Sequence, residues 1–309
     1  MKYALLFPGQ GSQSVGMLCS LGVPEIEQTF AEASMVLGWD LSKLVREGPA
    51  EELNRTERTQ PALLAAGVAL WRHWQGLGLT APTALAGHSL GEYAALVAAG
   101  CLGFADALKL VELRGQLMQA AVPAGTGGMT AVVGMEDAAV EAMCASCPDG
   151  VLEPANFNAP GQVVVAGEIK ALEWLDTNGK GNGARMVKRL AMSVPSHCSL
   201  MRGASDQLAA ALAKIDITPP LVPVRHNLDA QSRATADDIR EALAAQLYRP
   251  VRWTQTVQAL KADGITHLFE CGPGKVLVGL NKRIADGLTS VALEDAAGLT
   301  QAAQLTRGE

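Results

Sequence analysis

Aromatic residues are scarce in this chain, with Phe, Trp and Tyr together making 4% of 309 residues. Charged residues are also few, at 18% against a usual ~25%. Hydrophobic residues reach 49%, so the composition excludes disorder and calls for a large core built from Ala, Leu and Val. No long basic run occurs, and 25 basic against 31 acidic residues leave a net charge of −6. That balance argues against nucleic acid or an anionic membrane as a partner. No apolar stretch reaches the ~18 residues of a membrane span. The N-terminal apolar run is cut by Pro8 and Gly9, too early for a signal-peptide core. Of the six cysteines (Cys19, Cys101, Cys144, Cys147, Cys198 and Cys271), only Cys144 and Cys147 form a CxxC. No second pair or His cluster completes a zinc site, so free thiols, no bound metal and a cytoplasmic location are expected.

What is present is an alternation of short apolar runs with amphipathic stretches, the pattern of an α/β protein with a mostly parallel sheet. Strands are expected at 3–7, 84–87, 221–225 and 266–271, and helices at 91–99, 104–122, 199–214, 236–247 and 253–263. Between them the rhythm changes. Strands at 129–134, 152–157, 162–166 and 185–190 and helices at 137–146 and 170–177 give βαββαβ, a ferredoxin-like order. The expected organisation is a large α/β domain from residues 1–125 and 196–309, interrupted by a small domain at 126–195.

The strongest local motif is Gly87-His88-Ser89-Leu90-Gly91, a G-x-S-x-G between a short apolar strand and a helix. Such a turn needs glycine on both flanks, and it exposes the Ser89 hydroxyl at a helix N-terminus that favours an oxyanion. A nucleophilic serine needs a base, and the histidines are His73, His88, His197, His226 and His267. His73 lies on a polar helix face, and His88 adjoins the nucleophile in a turn that points neighbours apart. His267 and His226 sit near strand ends. His197 stands where the small domain returns to the large one, and clefts form at such junctions. Position alone puts it only slightly ahead of His226.

Arg114 is out of place on its helix. At ~100° per residue, Asp106, Lys109, Glu112, Gln116 and Gln119 gather on one face and Arg114 falls opposite, among Ala107, Leu110, Val111 and Met118. A guanidinium there either snorkels, pairs with a buried acid or waits for an anionic ligand such as a carboxylate. Two Gly-rich segments fail as nucleotide sites. Ser14 replaces the third glycine after Gly9-Gln10-Gly11, and Phe269 and Val276 break the phosphate-loop pattern around Gly272-Pro273-Gly274-Lys275.

Several segments, in order, carry a resemblance: Phe7-Pro8-Gly9-Gln10-Gly11-Ser12-Gln13, Thr59-Gln60-Pro61-Ala62, the Ser89 motif with Glu92-Tyr93, Asn156-Phe157-Asn158-Ala159-Pro160-Gly161-Gln162, Ser193-Val194-Pro195-Ser196-His197 and Glu270-Cys271-Gly272-Pro273-Gly274. Together they resemble the bacterial malonyl-CoA:acyl carrier protein transacylases over nearly the whole chain. The resemblance implies a hydrolase-like α/β domain with a ferredoxin-like insert. It implies Ser89 as the malonyl-accepting nucleophile, His197 as base and then acid, and the backbone N–H groups of Gln10 and Leu90 as the oxyanion hole. Arg114 would hold the substrate carboxylate, and the Gln246 carbonyl would orient His197, with Gln60, Asn158 and Gln162 near the site. Malonyl-CoA would be the substrate, no cofactor would be bound, and acyl carrier protein would be a transient partner in fatty-acid synthesis.

The stretch after Gly16-Met17 is short for the family. Arg225-His226-Asn227 stands where the fatty-acid enzymes have a more apolar residue and an Asn before a second Asn. A transacylase subunit of malonate decarboxylase or a stand-alone polyketide acyltransferase would share Ser89, His197 and Arg114. A serine esterase or thioesterase would share the Ser and His without needing Arg114, and a non-catalytic carrier-binding scaffold would not need nucleophile and base both intact. The carrier is acidic, which points to Arg185, Lys188, Arg189 and Arg202 as a basic docking patch.

Overall fold

Tyr3–Phe7 (β1) is buried at every residue, as a strand flanked on both sides within a parallel sheet must be. The computed structural model describes residues 1–192 and 194–309. Ser193, quoted above in the segment leading to His197, lies outside the described residues. β1 pairs in parallel with Ala84–Gly87 (β2) on one side. The remaining strands follow in chain order: Gly127–Val133 (β3), Leu152–Ala159 (β4), Gln162–Glu168 (β5), Met186–Arg189 (β6), Val224–Arg225 (β7), His267–Glu270 (β8) and Thr289–Ala292 (β9). The large sheet runs β7-β2-β1-β8-β9 with every pairing parallel. The small sheet runs β4-β5-β3-β6 with every pairing antiparallel, the order of a ferredoxin-like unit. The α/β class expected from the sequence is the one observed.

Boundaries shift where local chemistry forbids what periodicity suggests. The strand expected at 221–225 shrinks to two residues, because Pro219, Pro220 and Pro223 crowd its approach and cannot donate to a ladder. The helix expected at 104–122 ends at Ala120. Helix Thr56–Gly76 carries Pro61 inside its second turn and is buried continuously from Thr59 to Leu70. Its stretch from Pro61 to Leu70 is apolar at every position and so shows no 3.6-residue stripe of its own.

Two close approaches fix the site. A Cβ on Gly115 would lie 2.7 Å from Glu57 Cα, so helix Phe104–Ala120 touches helix Thr56–Gly76 backbone to backbone and brings Gln60 beside Arg114. A Cβ on Gly127 would lie 2.7 Å from Pro195 Cγ, so the chain enters and leaves the small sheet at adjacent points. The small sheet is also stitched to the large part at its β4 edge, where Phe157 N donates to Val251 O and Val251 N to Ala155 O. Among the described residues no helix is long and apolar enough to cross a membrane.

Candidate active site

The turn from β2 into helix Gly91–Ala98 is as tight as the sequence implies. A Cβ on Gly87 would meet Gly91 C at 1.9 Å, and one on Gly91 would meet Phe7 O at 2.0 Å. Glycine is obligatory at both positions. Ser89 between them has φ +51°, in the left-handed region that costs a non-glycine residue about 1–2 kcal/mol. His197 is also left-handed, with φ +62°. Two residues held in this region within one site are the kind of backbone strain that collects where geometry serves chemistry.

The two strained residues face each other. Ser89 Oγ lies 2.8 Å from His197 Nε2, and His197 Nδ1 lies 2.7 Å from the Gln246 carbonyl oxygen. A carbonyl only accepts, so the ring proton sits on Nδ1 and Nε2 is free to take the serine proton. His197 is 3% exposed. Burial, aided by the nearby Arg114 charge, pushes its pKa down to about 3, so the ring is neutral at pH 7. His226, close behind His197 on sequence position, lies elsewhere: its Nδ1 is 2.7 Å from Glu92 Oε1, and both side chains are 1% exposed. His88 Nε2 meets Asn158 Oδ1 at 2.8 Å and its ring tilts against Trp253. His73 bonds Glu25 at the periphery, and His267 bonds Thr266.

Arg114 is 1% exposed and finds no carboxylate among its described hydrogen-bond partners. Nη1 donates to Gln60 Oε1 at 2.8 Å, and Nη2 donates to Gln246 Oε1 at 3.0 Å and to Ser89 Oγ at 3.1 Å. Its Cζ sits 5.5 Å from the Tyr93 ring centroid, and Nε is buried without a partner. Burial lowers its pKa from the ordinary guanidinium value, as expected for a cation held by neutral amides. The Ser89 hydroxyl therefore accepts from Arg114 and donates to His197.

These groups open onto one cleft, lined also by Gln10, Leu90, Asn158, Met118, Met192 and Leu280. Gln10 reaches it because the turn after β1 packs on the Ser89 turn, with Gly9 so close that a Cβ would lie 2.5 Å from His88 O. Gln162 is absent from the cleft lining. It begins β5, and its side chain accepts from Arg283. Among the described residues no group of His, Cys, Asp and Glu is arranged to hold a metal ion.

Two residues with no role in the sequence reading complete the frame. Asn227 is fully buried; its Oδ1 accepts from Ser89 N and its Nδ2 donates to Gly87 O, both at 2.6 Å. Glu92 is fully buried in the first turn of the helix that follows Ser89. Its signal was available, since a lone acid in Gly-Glu-Tyr-Ala-Ala-Leu-Val-Ala is as anomalous as Arg114.

A parallel α/β fold with a strained serine, a carbonyl-oriented histidine and a buried guanidinium defines an acyl-transfer class of protein, and comparison agrees. The acyl transferase domain family model matches residues 4–299. The chain is 54% identical over 304 residues to the malonyl CoA-acyl carrier protein transacylase of Salmonella typhimurium, covering 97% of this chain and 98% of that one. It is 42% identical over 312 residues to the protein of the same name from Bacillus subtilis, covering 100% and 98%. Among solved structures, an acyl carrier protein S-malonyltransferase from Vibrio cholerae superposes with a TM-score of 0.95 at 54% identity, covering 98% of this chain and 100% of that one. A malonyl-transacylase in complex with a type II PKS acyl-carrier protein superposes at 0.97 with 51% identity, covering 99% and 100%. The chain belongs to the acyl transferase family, among its malonyl CoA-acyl carrier protein transacylases.

Proposed function

We propose that this chain moves a malonyl group from malonyl-CoA to the phosphopantetheine thiol of an acyl carrier protein, through a malonyl ester on Ser89. The observation that carries the substrate class is Arg114, a buried cation beside the serine whose partners are neutral. A carboxylate two bonds from the reacting carbonyl supplies the anion that the guanidinium lacks, in the bidentate geometry arginine favours.

In the first half-reaction Ser89 attacks the thioester carbonyl as His197 Nε2 takes its proton. The oxyanion is stabilised by the backbone N–H groups of Leu90, at the helix N-terminus, and Gln10. The intermediate collapses, the C–S bond breaks, and His197 returns the proton to the CoA thiolate. In the second half the carrier thiol gives its proton to His197 and attacks the ester, and Ser89 leaves with the proton restored. The Gln246 carbonyl stabilises the imidazolium formed in each half, so no carboxylate partner is needed for His197. Gln60 and Asn158 hold Arg114 and His88 in place. Every step uses side-chain and backbone groups of this chain.

The same reading takes residues 1–125 and 196–309 as one large domain and 126–195 as its insert, supported by the Gly127–Pro195 contact at the junction. It also takes the cytoplasm, where CoA thioesters are found, as the location. The test is to supply malonyl-CoA and a phosphopantetheinylated carrier together. Malonyl-carrier should form faster than free malonate. Malonate release with no carrier product would show a thioesterase instead.

A further inference from the structure

The Glu92 carboxylate is wholly buried and accepts three hydrogen bonds, none from an arginine or lysine. Oε2 takes Asn227 N at 2.8 Å and Gln246 Nε2 at 2.9 Å, and Oε1 takes His226 Nδ1 at 2.7 Å. Two of these donors lead directly to the reacting groups. Asn227 grips the Ser89 turn at Ser89 N and Gly87 O. Gln246 is held at three points: its Nε2 also donates to Ser89 O at 3.1 Å, its Oε1 accepts from Arg114, and its backbone oxygen fixes His197 Nδ1. Glu92 thus ties together the serine turn, the carbonyl that sets the histidine tautomer, and the amide that aims the guanidinium.

We infer that Glu92 is a positioning residue for malonyl transfer, acting through Gln246 and Asn227 on Arg114, His197 and Ser89. It rests on the proposed function above. The arrangement answers a problem that Arg114 creates. An acid in direct contact would neutralise the guanidinium and compete with substrate, whereas one amide away it contributes opposing charge and leaves the guanidinium free to bind. The negative charge of Glu92 accordingly favours the protonated state of Arg114. His226 supplies the third donor, and its buried Nε2 has no partner, so the ring can exchange tautomers without losing another bond.

That freedom makes the test specific. Glu92→Leu keeps roughly the side-chain volume but accepts nothing. Glu92→Gln still accepts at one oxygen and, if His226 moves its proton to Nε2, donates to Nδ1 with the other group. Single-turnover Ser89 acylation is measured with malonyl-CoA and with acetyl-CoA for each variant, alongside thermal melts. Misplacement of reacting groups by about 1 Å costs about 10²-fold, so Glu92→Leu should lose about that much rate with malonyl-CoA. Its malonyl-over-acetyl ratio should fall with it, and Glu92→Gln should recover at least part of both. A folded Glu92→Leu with wild-type rate and ratio overturns the inference, as does a folded Glu92→Gln no better than Glu92→Leu. If Glu92→Leu does not fold, Glu92→Asp, whose carboxylate falls one methylene short of Gln246 and Asn227, replaces it, and a wild-type rate and ratio there is equally fatal. Failure of the wild type to acylate at all would instead overturn the proposed function.

Discussion

The Arg114 guanidinium donates to the Ser89 hydroxyl across 3.1 Å, and its other hydrogen bonds among the described residues go to the Gln60 and Gln246 amide oxygens, with the Tyr93 face beside it. This contact joins the group that selects the substrate to the group that reacts with it. A neutral acyl chain in the cleft would leave the buried cation as it stands, whereas a malonyl carboxylate would satisfy it.

Arg114→Ala should therefore lose kcat/KM for malonyl-CoA by about 10²-fold, the equivalent of about 3 kcal/mol for an uncompensated buried charge. Acetyl-CoA should lose far less, so the two substrates converge. Steady-state comparison of the pair is the measurement, and an intact malonyl preference would exclude Arg114 as the carboxylate clamp.

His197 acts as a base only when neutral, and it is neutral above its pKa. Because burial and the Arg114 charge push that pKa down to about 3, Ser89 acylation should stay level as pH falls from 8 to about 5. An acid limb near the ordinary histidine value of 6.5 would contradict the buried neutral ring. Removing the neighbouring cation in Arg114→Ala should move the limb upward.

The left-handed backbone at Ser89 gives a stability prediction. Glycine relieves about 1–2 kcal/mol of strain and gives back about 0.4–1 kcal/mol through the freer unfolded chain. Ser89→Gly should thus be about 1 kcal/mol more stable than Ser89→Ala, or about 2 °C in melting temperature for a chain of this size. Equal or inverted melting temperatures would show that the turn carries no strain.

The four cations suggested for carrier docking do not form one patch. Arg185, Lys188 and Arg189 follow the β6 edge of the small sheet, where Arg189 is already paired with Asp176. Arg202 lies against the opposite, β4 edge beside Glu153 and Tyr248. Strand order separates the edges by about 14 Å, three inter-strand steps. β6 runs on into Leu190 and Met192 of the cleft wall, so Arg185→Glu with Lys188→Glu should slow transfer to the carrier and leave Ser89 acylation unchanged. Arg202→Glu should affect the carrier step less. Equal loss in both half-reactions would remove β6 as a docking edge.

What could be read from the chain follows from which forces are local. The β1 run, the glycines around Ser89 and the βαββαβ rhythm are written in neighbouring residues, and the structure has them with edges moved by a few positions. Helix Thr56–Gly76 was recognisable only near His73, because its buried length has no polar face to set a period. Helix Val276–Ile284 and strand β9 are short, at nine and four residues, whereas the twelve-residue C-terminal helix Ala296–Arg307, with Leu299, Ala302 and Ala303 buried on one face, was legible from its spacing. At the site, Arg114 stood out because a charge on an apolar face is visible from spacing alone. Position could not separate His197 from His226, since which ring meets Ser89 and which meets Glu92 depends on contacts across more than 100 residues of chain. Asn227 has no local signature at all: its two bonds to the serine turn exist only once β7 lies beside β2.

The central claim is that Ser89 carries the malonyl group between CoA and carrier. Intact-mass measurement after exposure to malonyl-CoA, on wild type and Ser89→Ala, tests it most directly. The wild type should gain one malonyl group and lose it when a phosphopantetheinylated carrier is added, and Ser89→Ala should gain none. A malonyl adduct of equal yield on Ser89→Ala, or a wild-type adduct that the carrier cannot discharge, would contradict the account.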